Sequence, residues 1–390
     1  MKSIEEIRRE TPGCIEKIFL NSAGSSLVPD TVFTAMNEYL QKERMIGGYQ
    51  LAQLCQNEID DFYIQASKLL QCPSENIAFM TSATDAYAKA VSSIALEKDD
   101  YILTSDDDYI SNYLLFFSLQ KKFGIQIIRA RNASNGDIDM DDFEKKMKTY
   151  KPKVVSVTHV PTNSGKIQPV EKIGDLCQKN DVWYIVDACQ SVGQMNVDVS
   201  KIKCDFLSAT GRKFLRGPRG TGLLYVSEKA LERGLQPLFI DMRGAEWNTE
   251  NSCIPVSGAR RFEYWEVNYA NLIGLTEAIK YALTIGMDDI RKYNSGLRDL
   301  LMRLLGKIPD IRLTEDGSIG SSIITFTSEK WSLKEIQDTL TQAGVSYSTS
   351  FRHFALIDFN KKNVDWAIRL SPHYFNKEEE ILKVCEIIQK

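Results

Sequence analysis

Short apolar runs separated by helix-length stretches dominate the first two thirds of the chain. They occur in "NIAFMTSATDAYAKAVSSIAL", "DYILTSDDD", "PKVVSVTHV", "VWYIVDACQSVG" and "TGLLYVS", each bounded by polar turns. Alternation of this kind marks βαβ units, and Val154–Val157 and Val182–Val186 are apolar enough to be covered on both faces. The pattern predicts an α/β fold with a mainly parallel central sheet, flanking helices, and ligands at the carboxyl ends of the strands.

Beyond Tyr269 the texture changes to long helical periodicity, then to shorter strands around "IRLT", "SSIITFTS" and "WAIRLS". "SLKEIQDTLTQAG" carries a capping box, Ser332 with Glu335, and a terminating Gly344. We expect a large domain over 21–269, a smaller C-terminal α+β domain over 270–390, and an N-terminal segment, 1–20, packed on the smaller domain.

Composition adds exclusions. The 390 residues are 43% hydrophobic and 26% charged, enough for a large core, and 48 basic against 52 acidic residues give no global basic field. Nucleic acid and membranes are not expected partners, since no apolar run approaches the roughly 20 residues that span a bilayer. The start, "MKSIEEIRRETPGC", lacks an apolar signal core, so the expected compartment is the cytoplasm. Eight cysteines without a CxxC pair, and three histidines, predict no metal site and mostly packing thiols, Cys189 and Cys253 among them.

Candidate chemistry sits at the strand ends. In "FMTSATDAY" a strand opens into a helix, leaving the amides of Ala83 and Thr84 free to face an anion, although plain helix capping gives the same pattern. Asp187 ends a buried apolar run, where a carboxylate needs a cation, several donors or a capping role, and Gln190 follows it. Lys213, in "SATGRKFLRGPRGTG", lies one strand further on, where burial and neighbouring cations would lower its amine pKa and make it a nucleophile. A carboxylate for a pyridinium nitrogen, a lysine for an imine, and donors for a phosphate are what pyridoxal phosphate requires.

The order TSATDA, VDACQSVG, DFLSATGRK with GPRGTGLLYV, and RLSPHYFNKEEEI resembles the class V aminotransferase and cysteine desulfurase superfamily of fold-type I pyridoxal-phosphate enzymes. The resemblance implies the fold-type I architecture, a homodimer, and a PLP-dependent enzyme acting on a small amino-acid substrate. It casts Lys213 as the Schiff-base lysine, Asp187 as partner of the ring nitrogen and Gln190 as donor to the phenolic oxygen. Ala83, Thr84, Thr210 and Arg212 fall on phosphate-binding positions, and Arg216 and Arg219 are left to shape the loop or a subunit contact. Tyr109 takes the place of a ring-stacking histidine, Thr162 and Asn163 lie in the loop approaching the ring oxygen, and Arg369 matches the substrate-carboxylate clamp. The substrate pocket would be built from loops near Asn21 to Ser26, Gly47 to Gln50 and Ser346 to His353.

Two departures set the chain apart from desulfurases. Their catalytic cysteine has no counterpart in "GVSYSTSFRHFALIDFNKKN", and Trp265 and Glu266 replace a Gly-Thr pair that reaches the partner's phosphate. The variant is similar to a subgroup with isopenicillin-type epimerases and ergothioneine-pathway carbon-sulfur lyases. The expected reaction is β-elimination at a Cβ–S bond of a cysteine-derived substrate, with transamination or epimerisation as the alternative.

Overall fold

A computed structural model describes residues 2–315 and 319–389. Its main sheet has seven strands, ordered Ile77–Met80, Gly222–Val226, Phe206–Thr210, Trp183–Asp187, Val154–Thr158, Tyr101–Ser105 and Gln126–Ala130. Helical crossovers make most neighbours parallel, whereas Gly222–Val226 runs antiparallel to both of its neighbours. Only a loop joins it to Phe206–Thr210, and a loop without a crossover helix returns the chain antiparallel. All five residues of Val154–Thr158 and of Phe206–Thr210 are buried, as expected of strands covered on both faces.

A second, antiparallel sheet orders Ile311–Leu313, Ile324–Ser328, Trp366–Leu370 and Ser348–Phe351. The helices Met287–Leu305, Leu333–Gln342 and Glu378–Gln389 share a core with it through Leu301, Leu340, Ile381, Phe326 and Ile368. The capping box forms: the Ser332 hydroxyl accepts from the Glu335 amide and the Glu335 carboxylate from the Ser332 amide. At the N-terminus, Ile18–Phe19 pairs in parallel with Val345–Ser346, and Arg8 donates to the Phe375 carbonyl and to Glu380, both at 2.8 Å. The helix Tyr269–Ile285 places Leu272, Leu275 and Ile279 in the same buried cluster as the main-sheet residues Leu207, Ala209 and Leu223.

Two close approaches shape the ends of the main sheet. Gly193, at φ 94°, lies so near the Phe214–Leu215 backbone that a Cβ would stand 2.3 Å from the Leu215 nitrogen. At Gly222 a Cβ would stand 2.8 Å from the Ser82 carbonyl carbon and 3.1 Å from the Ala83 nitrogen. Glycine thus lets one strand touch the turn that starts the next helix.

Candidate active site

A cavity of about 280 Å³ opens where four strands end, lined by residues of the turns after Met80, Asp187 and Thr210 and before Gly222, with Tyr109 and Asn112 closing one side. Lys213 is 8% exposed, and its Nζ lies 5.9 Å from the centre of the Tyr109 ring. Among the described residues no hydrogen bond or ion pair holds that amine. Burial pushes its pKa down, the Cys189 thiol and the Asp187 carboxylate push it up, and the cations Arg369 and Arg212 push it down again. The lowering thus comes mainly from the site's depth, and the second cation is Arg369 rather than only the adjacent arginine.

Asp187 keeps its carboxylate 4% exposed by accepting from the Cys189 amide at 2.9 Å and from Asn112 Nδ2 at 3.3 Å. The same Asn112 nitrogen donates to Asp108 at 2.9 Å, so one amide bridges two buried acids. Asp108 also accepts from Thr104, Thr158 and the Tyr109 amide. Burial lifts its pKa to about 6 against those hydrogen bonds, and the charge of Asp187 adds to the rise.

The opposite end of the cavity could hold an anion. Ser82 caps the ten-residue helix Ala83–Ser92, its hydroxyl accepting from the Asp85 amide, so the amides of the first turn face the cavity at the positive end of the helix. Thr210, Arg212, Arg219 and Thr221 complete this end. The Arg212 guanidinium is oriented by a hydrogen bond to the Gly24 carbonyl.

A second cavity, about 430 Å³, shares Tyr109, Arg212 and Lys213 with the first. Arg369 lines it while 7% exposed, donating through one terminal nitrogen to the Thr162 hydroxyl; its buried Nε has no partner among the described residues. Burial pushes this guanidinium down to about 10, and Arg212 adds to that. A buried arginine with an unmet donor calls for an anionic group. Gln190 donates to the same Thr162 hydroxyl at 2.9 Å and to the Ala23 carbonyl at 3.1 Å, which leaves its buried Oε1 unpartnered.

The structure thus gathers Lys213, Asp187, Tyr109, Ala83, Thr84, Thr210 and Arg212 around one cavity, with Thr162 and Arg369 around the next and Gln190 hydrogen-bonded between them. Asn163 is not brought in: its side chain donates to Asp358 at 2.6 Å, a carboxylate buried beneath the loop. Asn21 also lies outside both linings, its backbone bridged to Ser371, whereas Ala23 and Gly24 of the same segment do line the second cavity. Ser348 to Ser350 do so as well, but Gly47 to Gln50 do not.

Three residues at the site went unread in the sequence or were assigned elsewhere. Cys189, expected to be a packing thiol, lines the first cavity, because the chain turns inward two residues after Asp187. Cys253 is exposed on the hairpin Ala245–Thr249 and Ser252–Pro255, not packed. Arg219 reaches the anion end, while Arg216 is wholly buried elsewhere, against the rings of Tyr281, Tyr374 and Phe375. Asn112 carried no signal beyond a polar residue on a helix.

Comparison with known proteins bears on the family and the fold. The family model for class-V aminotransferases matches residues 18–384. A probable cysteine desulfurase of Pyrococcus abyssi is 28% identical, covering 100% of this chain and 98% of its own. The apo structure of a cysteine desulfurase from Thermococcus onnurineus superposes with a TM-score of 0.92 at 25% identity, covering 100% of this chain and 98% of that one. The cystine C-S lyase C-DES, solved with its product cysteine persulfide, shares the fold at a TM-score of 0.87 and 20% identity, covering 97% and 99%. Matched along nearly its whole length, the chain belongs to the class V aminotransferase family.

Proposed function

We propose that the protein is a pyridoxal-phosphate-dependent carbon-sulfur lyase that cleaves the Cβ–S bond of a cysteine-derived amino acid. The desulfurase relatives point to sulfur chemistry at the β-carbon. One observation carries the lyase reading over desulfuration through an enzyme persulfide. The segment over the substrate cavity offers Ser348, Thr349, Ser350 and Phe354, and no thiol anywhere from Gly344 to Asn363.

The residues fit the cofactor. Two buried polar atoms here lack a partner among the described residues, Arg369 Nε at the second cavity and Gln190 Oε1 between the two, and the adjoining first cavity has a helix start, two arginines and a buried carboxylate in its lining. Ala83, Thr84, Thr210 and Arg212, with Arg219, would hold the phosphate; Asp187 would keep the ring nitrogen protonated, and Tyr109 would lie beside the ring. Pyridoxal phosphate, when bound, supplies a conjugated ring that accepts the electron pair left when the substrate's α-proton departs.

The chain's own groups do the rest. Arg369, with Thr162, binds the substrate α-carboxylate and so fixes the α-carbon beside Lys213. Lys213, its pKa lowered by burial, would hold the cofactor and would take the substrate's α-proton at Nζ. Asp187, already held by two donors, would partner the ring nitrogen. The burial of Lys213, 8% exposed, limits water around the amine. The net change is R–S–CH2–CH(NH3+)–COO− plus water giving R–SH, pyruvate and ammonium.

Incubating holoenzyme with S-substituted cysteines and no keto acid tests this. Pyruvate, ammonium and thiol in equal amounts are expected; an absolute requirement for a keto-acid acceptor would overturn it in favour of transamination.

The active form in this reading is a cytoplasmic homodimer. Support for the dimer is the number of exposed apolar side chains in this region, Leu238, Phe239, Met242, Trp247 and Trp265, each at least 46% exposed. Glu266 is exposed beside Trp265, so in a dimer this pair would face a partner where relatives place Gly-Thr.

A further inference from the structure

A third hollow, about 250 Å³, lies between the helix Ile110–Phe123 and the segment His353–Ile357. It shares Ile110 and Phe354 with the substrate cavity, so those two side chains stand between the two spaces. Its walls are mainly apolar: Tyr113, Leu114, Phe117 and Leu356 line it, and the last three are 56%, 52% and 56% exposed. His353 packs its ring 4.1 Å from that of Phe354, which holds one side of the opening in place.

Charged, small and hydroxyl-bearing residues make up most of the lining of the substrate cavity, Ser348 to Ser350 of the edge strand among them. Its large side chains without a polar group are Ile110 and Phe354. A substrate held by its carboxylate at Arg369, with its α-carbon beside Lys213, carries its sulfur toward Ile110 and Phe354. The Ser348 to Ser350 hydroxyls offer hydrogen bonds but no thiol to take up a sulfur atom, whereas the hollow beyond can bury part of an apolar group.

We propose that this hollow receives the S-substituent of the substrate, and that the enzyme's substrates are cysteine S-conjugates bearing an apolar group of aromatic size rather than cysteine itself. The inference rests on the lyase reading above and names its substrate class. In the reaction the Cβ–S bond breaks, the sulfur keeps its electron pair and takes a proton to leave as R–SH, and the three-carbon remainder takes up water to give pyruvate and ammonium. No oxidant or enzyme thiol is consumed.

The test compares S-methylcysteine with S-benzylcysteine on the holoenzyme, following both pyruvate and free thiol. The benzyl conjugate should have a kcat/KM about tenfold or more above the methyl one. Leu114→Asp should collapse that ratio toward one, chiefly through KM, and Phe117→Gln provides a second variant should the first fold poorly. Calorimetric binding to Lys213→Ala should show the same preference without turnover. Equal kcat/KM for both conjugates, or a ratio untouched by both variants, overturns the inference while the lyase reading stands. Failure of every S-substituted cysteine to give pyruvate overturns the lyase reading, and the substrate class with it.

Discussion

Lys213 and Asp187 line one cavity without pairing: the acid is satisfied by Asn112 and the Cys189 amide, and the amine is left uncommitted. A direct ion pair would hold the lysine protonated and unreactive, so keeping the two apart frees the amine for covalent chemistry. Borohydride reduction of the holoenzyme followed by peptide mass spectrometry should therefore mark Lys213. Lys213→Ala should carry no mark and lose about a thousandfold or more of its activity.

Asp187→Asn preserves the shape of the acid and removes its charge. The covalent mark on Lys213 should persist while turnover falls about a hundredfold or more, because in the proposed mechanism the ring nitrogen would lose its acidic partner. Comparing the absorption spectrum of the bound cofactor with that of the parent across pH measures this separately from rate.

Arg212 and Arg216 stand four residues apart with opposite duties. Arg216, at φ 61° and wholly buried, donates to the Leu27 carbonyl at 2.8 Å and to the Thr11 hydroxyl at 2.6 Å while packing on three aromatic rings. Arg216→Met should lower urea stability by roughly 2–4 kcal/mol, since it strands those acceptors and loosens that packing. Arg212→Met should instead weaken cofactor affinity in a titration, with little change in the melting of the cofactor-free protein.

Asp107 is 3% exposed, and burial, together with Asp358 and Asp108, raises its pKa from the ordinary 3.8 to about 7 against the pull of Lys362. The folded state then binds a proton that the unfolded chain releases, so this residue's contribution to stability falls as pH rises from about 4 to about 7. Buried His159, lowered to about 4, and His373, also lowered, act in the opposite sense, so the total profile does not isolate Asp107. The difference between parent and Asp107→Asn does. Relative to the parent, the variant should gain roughly 1–4 kcal/mol between pH 4 and pH 7 in urea melts, then level off.

If the exposed apolar surface around Trp247 seals a dimer, Trp247→Glu should shift the protein toward a monomer in sedimentation experiments. At 79% exposure this ring supports little within its own chain, so the monomer should keep its fold by circular dichroism.

What the chain discloses in advance follows the range of the forces involved. Buried runs such as Val154–Thr158, and polar residues placed at their ends, are local patterns, so the α/β layering and the positions of Asp187 and Lys213 are legible. Direction is not: an apolar run has no sign, and the antiparallel course of Gly222–Val226 depends on how the chain returns from Thr210. Asn163 follows a partner that lies 195 residues away, and no local spacing foretells it. Cys189 carries the small apolar signature of a core thiol, and only the inward turn after Asp187 shows that it borders the cavity. Arg216 and Arg219 are near-identical in sequence context, yet one is sealed under aromatic rings and the other reaches the anion end.

The hydrogen that stands in for a side chain at Gly222 has a further meaning. The proposed grip on a dianion would rest partly on an omission, since a single methyl there would press the Ser82–Ala83 link out of line and shift the Ala83 amide without changing the chemistry of any group meant to touch the ligand. The protein's hold on its cofactor can thus be lost through a residue that would never figure among the binding contacts.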